Sequence, residues 1–258
     1  RPPRYTGRRM AWGRLTAGVV AALAVVLSIP PASAGNLEPR LPGSIPGLRP
    51  EVLELALRAF RAADARGLVE RARLTVVDYE LPSYLRRLWV IDLATGTLLH
   101  HEWVAHGMGS PQGAGGDLVR VLAFSNRDDT RMSSLGLYRT GETYVGRHGR
   151  SLRLDGLEAG FNDAARRRAI VVHGADYVSR QQALLRRMGR SWGCPAVRPE
   201  VAQQLIDAIA GGTLLWVYYP EPEWLAASDF LGDNRPGDVA TRLTTATGLG
   251  GDVAPAGR

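Results

Sequence analysis

One thiol and a few imidazoles are the groups in this chain best suited to chemistry. The 258 residues include a single cysteine, Cys194, and five histidines. A cysteine acts as a nucleophile only as its thiolate, so it needs a base within hydrogen-bond reach and gains from nearby positive charge. His173 fits the base. The apolar run Ala169-Ile170-Val171-Val172 delivers it to a strand end, and Gly174 allows a sharp exit there. Cys194 lies in Gly189-Arg190-Ser191-Trp192-Gly193-Cys194-Pro195, just ahead of a helix. Such a Gly- and Pro-constrained loop can present the thiol and aim a backbone N–H or two at a developing oxyanion. Arg187 and Arg190 are close enough in sequence to supply positive charge. A strand–helix–loop return would bring His173 to Cys194, and a shared proton would then hold the thiol below its ordinary titration range. The chemistry implied is nucleophilic attack by a thiolate with a histidine as its base.

The other histidines carry weaker signals. His100 and His101 fall on a hairpin and read as exposed strand residues. His106-Gly107 repeats the His-Gly pair, but it precedes a glycine-rich stretch with no cysteine nearby, which suits a pocket-lining residue better than the base. His148, in Gly146-Arg147-His148-Gly149, fits a substrate-facing loop. No histidine pair has ligand spacing on one helix and there is no second cysteine, so neither a metal site nor a cofactor is expected. Residues 107–118 lack the Lys-Ser/Thr and the opening helix of a phosphate cradle and read as a mobile loop.

The elements that must position these groups follow from periodicity. Pro50 opens a helix with Glu51 and Glu54 in its first turn, an apolar stripe at Leu53, Leu57 and Phe60, and a stop at Gly67. Leu74–Tyr79 and Leu88–Leu93 are short β-prone runs; a turn at Ala94-Thr95-Gly96 makes Thr97–Ala105 a hairpin partner. Leu135–Tyr138, Ser151–Leu154, Ala169–His173 and Thr213–Tyr219 are further strand candidates. Tyr177–Met188 and Pro199–Ala210 read as helices. The expected fold is mainly β with a few helices (α+β). Four regions are expected: a signal peptide at 1–34, a linker and N-terminal helix at 35–69, a catalytic domain at 70–220, and a poorly ordered tail at 221–258. Within that tail Trp224, Leu225 and Phe230 are able to dock.

Charge and hydropathy bear on location. The formal net charge is +7, but Arg1, Arg4, Arg8, Arg9 and Arg14 all precede one apolar run, and without them basic and acidic residues nearly balance. A nucleic-acid surface is therefore not indicated. Leu15–Ile29 is uncharged and shorter than the roughly 20 residues of a membrane-spanning helix, and Ala32-Ser33-Ala34 offers a small-x-small cleavage site. The chain reads as exported to the periplasm or cell envelope, touching membrane only if this signal stays uncleaved, and working as a monomer. In an oxidising compartment a lone cysteine cannot be one half of an internal disulfide.

His173-Gly174 followed by Ser191-Trp192-Gly193-Cys194 resembles the YkuD-type L,D-transpeptidases, and Ser133–Tyr138 with Gly141–Tyr144 resembles their murein L,D-transpeptidase catalytic-domain-like branch. The resemblance covers about residues 70–220. It implies a β-rich catalytic domain acting on peptidoglycan stem peptides. The thiolate attacks the carbonyl of the L-centre residue of a tetrapeptide stem, D-alanine leaves, and an amine of a neighbouring stem takes the acyl group to form a 3→3 cross-link. It further implies Cys194 as nucleophile, His173 as base and then acid, the Gly174 carbonyl orienting the imidazole, and N–H groups around Gly193 and Cys194 as oxyanion hole. Ser191, Trp192, Arg190, His106, Tyr138 and His148 are the accompanying oxyanion and substrate-binding candidates. The common motif has histidine where this chain has Trp192 and arginine where it has Ala196, so that arginine's task falls to Arg190, Arg198 or no residue. Two rivals stand beside the transferase: an L,D-carboxypeptidase with water as acceptor, and a non-catalytic wall-binding module. A papain-like protease places cysteine before histidine, the reverse of the order here.

Overall fold

The computed structural model describes residues 45–110 and 118–232. The segment expected to be a signal peptide, most of the expected linker, the centre of the glycine-rich stretch and the last residues of the expected tail lie outside them. An eight-stranded sheet in the order β3-β2-β1-β8-β4-β5-β6-β7 organises the fold, which is mostly β with few helices. Its strands are β1 (Arg73–Asp78), β2 (Leu88–Asp92), β3 (Thr97–Glu102), β4 (Gly136–Gly146), β5 (Gly149–Gly156), β6 (Val171–Gly174), β7 (Ala196–Val197) and β8 (Leu214–Tyr218). The helices are α1 (Pro50–Ala65), α2 (Arg180–Leu184), α3 (Pro199–Ile209) and α4 (Pro222–Ala227).

The β1–β8 and β6–β7 pairs are parallel and the others antiparallel. All five residues of β8 are buried, as expected of a central strand covered on both faces, whose sequence is a continuous apolar run rather than an alternation. The β2–β3 hairpin turns where the Asp92 carboxylate accepts the Ala94 and Thr95 N–H groups, with Gly96 at φ 75°.

Helix α1 packs into the main core together with β1 and β8. Its buried face runs through Val52, Ala56, Ala59, Phe60 and Ala63, with Leu57 also buried and Leu53 only partly so. The stripe is thus centred on alanines, one position away from the leucines that hydropathy alone favoured; small side chains let a helix lie close to a sheet. The expected Tyr177–Met188 helix shrinks to α2. Ser179 caps its start by accepting the Gln182 N–H, and Arg186 at φ 52° ends it.

Within the segment expected to be a tail, residues 221–232 are docked through Trp224 and Phe230, two of the three residues read as able to do so. Trp224 of α4 is fully buried and its indole N–H donates to Glu158 at 2.8 Å, while the other oxygen of that carboxylate accepts the Leu137 N–H. One buried tryptophan with its polar handle satisfied is enough to hold a short segment in place. Among the described residues no helix is long and apolar enough to cross a membrane.

Candidate active site

Strands β6 and β7 bring the two reactive groups together. They run parallel, with His173 opposite Ala196 and Gly174 opposite Val197, so the residues entering β7 lie beside the start of β6, where the Cys194 thiol meets the Ala169 carbonyl, and His173 stands at the third position of the same strand. The loop that carries Cys194 is tied down from its other side by the segment around His106. Ala105 N–H donates to Ala196, Ser191 N–H to His106 and Met108 N–H to Ser191, all at 2.8–2.9 Å. Both reactive side chains line one cleft of about 400 Å³, along with Tyr144, Arg147, His148, Ser151, Arg168, Tyr177, Arg190, Ser191 and Trp192.

His173 is buried, and its Nδ1 lies 2.8 Å from the Gly174 carbonyl oxygen. A carbonyl only accepts, so Nδ1 carries the hydrogen and Nε2 keeps its lone pair, the tautomer a general base requires. Burial pushes the imidazole below its ordinary range, and the charges of His148 and Arg147 push the same way against the Gly174 bond. The ring of His148 stacks on that of His173 at 4.3 Å and 28°, and the Arg147 Nε–H donates to the His148 Nε2.

The Cys194 thiol donates to the Ala169 carbonyl at 3.7 Å. Burial raises its pKa above the ordinary thiol range; a Val171 backbone hydrogen bond and the charges of Arg168 and Arg147 counter this only in part. Burial thus favours the neutral form of both the thiol and the imidazole. This departs from the expected depressed thiol pKa, because desolvation at the cleft floor outweighs the nearby cations.

The loop itself is braced by Ser191. Its hydroxyl accepts the Gly193 N–H at 3.1 Å and donates to the Cys194 carbonyl at 2.6 Å. Gly193 sits at φ +116°, where a Cβ would come within 2.7 Å of the Met132 carbonyl and 2.9 Å of Ile170, so no other residue fits this turn. Its N–H is already bonded and is not a preorganised oxyanion donor. Ser191 and Gly193 shape the loop instead.

Other sequence candidates separate. His148, Arg190 and Trp192 reach the cleft. Trp192 is 57% exposed, with the Arg131 guanidinium 4.6 Å and that of Arg147 5.7 Å from its ring centre. Tyr138 does not line the cleft: it is buried in the main core, its hydroxyl donating to the Ser134 carbonyl. His106 does not line it either. It is fully buried behind the loop, with Nδ1 2.8 Å from the buried Arg87 guanidinium, and desolvation followed by the Arg87 and Arg190 charges drives its pKa down to about 2. Arg187 lies in a neighbouring cleft and Arg198 is committed to a two-bond pair with Glu102. His101 is half-buried, stacked on Trp89, rather than an exposed strand residue.

The cleft also holds residues that sequence reasoning passed over: Arg147, Arg168, Tyr144, Ser151 and Tyr177. Arg147 adjoins the flagged His148, and Arg168 immediately precedes the flagged strand; adjacency was the available signal.

Residues 44–218 match the family model of the L,D-transpeptidase catalytic domain. The chain belongs to this family. Its mainly β architecture is the YkuD-like L,D-transpeptidase fold. Solved structures similar to the chain include an L,D-transpeptidase from Mycobacterium smegmatis at 14% identity, covering 57% of this chain and 59% of that one with a TM-score of 0.35. Another is Bd1075 of Bdellovibrio bacteriovorus at 18% identity, covering 67% and 56% with a TM-score of 0.35. A third is an L,D-transpeptidase from Stackebrandtia nassauensis at 14%, covering 64% and 67% with a TM-score of 0.34. The chain thus spans less than two thirds of the length of the first of these relatives. No curated protein matches the sequence.

Proposed function

We propose that this chain is an exported cysteine acyltransferase that performs L,D-transpeptidation on peptidoglycan stem peptides. The observation that carries the reading is a lone thiol sharing a cleft with a buried histidine whose Nδ1–H is fixed on its own neighbour's carbonyl. That leaves Nε2 as the basic face.

The steps follow from this tautomer. As the donor peptide binds, the Cys194 proton passes to His173 Nε2 and Sγ attacks the carbonyl of the L-centre residue. The tetrahedral adduct collapses when the D-alanine amine takes the proton from the imidazolium and leaves, and a thioester remains on Sγ. An acceptor amine, losing its proton to Nε2, then attacks the thioester and Sγ departs. A neutral starting pair suits this sequence, since charge forms only as the substrate arrives and water is excluded.

Export rests on the charged, apolar and small-residue pattern of residues 1–34, and N-terminal sequencing of secreted material should begin at Gly35. Retention of Leu15–Ile29 would make the segment an anchor instead. The activity is tested by incubating the processed protein with sacculi and reading muropeptides by mass spectrometry. A 3→3 cross-linked dimer with released D-alanine is expected. A shortened monomer stem would assign water as acceptor, and no change would leave a wall-binding module.

A further inference from the structure

The cysteine motif carries Ala196 where a cation could stand, yet the thiol is not without one. Arg168 comes from a different segment, the turn before β6, and lines the same cleft. Its guanidinium spends its hydrogen bonds on neutral oxygens: the Ser125 carbonyl at 2.7 Å, the Met132 carbonyl at 2.8 Å, the Ser134 hydroxyl at 2.5 Å and the Thr130 hydroxyl at 3.4 Å. Among the described residues no carboxylate pairs with it, and the nearby Asp128 is taken by Arg167 at 3.3 Å. A half-buried cation without a counter-ion is a cost to the fold. Its side chain is held at four points, so the charge cannot swing out into solvent.

Two connections tie this side chain to the surroundings of the sulfur. The Met132 carbonyl that Arg168 grips is the group against which Gly193 packs. The next residue, Ala169, stands at φ +53° and turns its carbonyl onto the thiol hydrogen. That bond exists only while Cys194 is protonated. Once His173 takes the proton, the same carbonyl repels the sulfur, and the thiolate needs positive charge from elsewhere. The titratable and charged groups facing Cys194 are His173 on β6, Tyr177 beyond it, Arg147 and His148 at the β4–β5 turn, Arg190 on its own loop, the buried Tyr79 just after β1, and Arg168. Arg147 and Arg190 project from turns and Trp192 draws on the former. Arg168 is anchored through both terminal nitrogens of its fork.

We propose that Arg168 is the positioning residue that stabilises the Cys194 thiolate, both when it forms and when it is expelled from the thioester, doing electrostatically what no residue of the cysteine motif does. The inference rests on Cys194 as the nucleophile. No bond forms to Arg168: the proton moves from Sγ to His173 Nε2 and back, and the guanidinium stays fixed and charged throughout.

The test is the pH dependence of iodoacetamide labelling of Cys194 in the full chain. Arg168→Gln should raise the midpoint by about one pH unit, a tenfold loss of thiolate below it, about the smallest shift expected on losing a neighbouring cation. Arg168→Lys keeps the charge but cannot span four acceptors, so it should melt at a lower temperature with its midpoint near that of the native chain. Midpoints unmoved in Arg168→Gln, or moved equally by both substitutions, would make Arg168 a structural brace and overturn the proposal. If Arg168→Gln does not fold, Arg168→Lys decides alone: a native midpoint supports the charge role and a raised one refutes it. Labelling reads the thiol whatever the acceptor. A shifted midpoint without sacculus turnover would therefore defeat the acyl-transfer reading alone, and turnover with an unmoved midpoint would defeat only the role of Arg168.

Discussion

Ser191→Ala probes how the nucleophile loop is held. The hydroxyl closes two contacts within three residues, accepting from Gly193 N–H at 3.1 Å and donating to the Cys194 carbonyl at 2.6 Å, in a position 4% exposed. Removing it leaves a buried donor and a buried acceptor unmatched, with little room for water to replace the oxygen. Each such group costs about 1–3 kcal/mol, so a loss of about 3 kcal/mol is expected. In a domain of this size that lowers the melting temperature by about 6–12 °C. Gly193 is pinned on its other side by the Met132 carbonyl and Ile170, so the loop relaxes at its free end, where Cys194 sits. A displacement of about 1 Å in a reacting atom reduces turnover by up to about 100-fold. Differential scanning calorimetry gives the first quantity, and D-alanine release from stem tetrapeptide the second. A variant that melts within about 1 °C of the native chain and turns over at its rate would refute the bracing argument. Faster turnover would refute it in a more informative way, because the freed Gly193 N–H would then be acting as an oxyanion donor.

Four further outcomes follow from the site and its supports. In the native chain, iodoacetamide labelling of Cys194 should show a midpoint above the roughly 8.5 of a free thiol, since burial dominates there; a midpoint below about 7.5, in the range of activated thiols, would mean a resting thiolate–imidazolium pair. His148→Ala strips the 4.3 Å stack and one neighbouring charge from His173, so the His173 pKa should rise toward its ordinary value and the acid limb of kcat/KM should move to higher pH; an unmoved limb would show that the stack has no influence. His106 stays neutral in the fold to about pH 2 whereas the unfolded chain protonates it near 6.5, so its contribution is complete above 6.5 and fades as pH falls; by pH 4.5 it should account for about 3 kcal/mol, visible as a flatter urea-stability profile in His106→Gln, and an equally steep profile in that variant would reject this. Trp224→Ala should cost about 3–5 kcal/mol, because it empties a core position and removes a partner of the buried Glu158; a loss under about 1 kcal/mol would mean that α4 is not part of the cooperative fold.

The parts legible in the sequence are those fixed by local rules. Pro50 and Pro199 open α1 and α3 where proline at N1 predicts, and the Asp92–Gly96 turn sets its hairpin. The apolar run ending in Tyr218 reads as the central strand it is. The Cys194–His173 pairing was accessible because rarity and order, rather than geometry, point to it. What was not legible depends on residues distant in sequence. Nothing local says that β6 and β7 lie side by side in parallel, so the spacing between His173 and Cys194 could suggest their meeting but not its register. Tyr138 and His106 sit in motif-like text, yet one faces the core and the other a buried arginine; a strand's two faces differ by one residue of register, which pattern alone does not resolve. Trp224 read as able to dock, but its partner Glu158 is far upstream and was not legible. The thiol's titration was misjudged for a related reason: sequence shows which cations are near, but not how much water burial removes.

Backbone strain ties these supports together. Among the described residues four non-glycine positions have positive φ, and three of them, Asp129, Arg131 and Ala169, border the thiol site or the cleft beside it. Each costs about 1–3 kcal/mol, which the fold must recover from elsewhere. The first two lie in the loop that presents the Met132 carbonyl to Gly193 and to Arg168. The same loop crosses Gly107 and Gly109 so closely that a Cβ at either would fall within 2.3 Å of backbone oxygen. The third turns its own carbonyl onto the thiol. A loop chosen for stability alone would relieve such strain with glycine, as Gly193 does at φ +116°. Keeping asparagine-like backbone geometry at an aspartate, an arginine and an alanine fixes the floor and one wall of the cleft. If Cys194 is the nucleophile proposed above, these walls hold sulfur, imidazole and guanidinium in place before substrate arrives, which is the condition for charge to develop on the thiol without reorganising its surroundings.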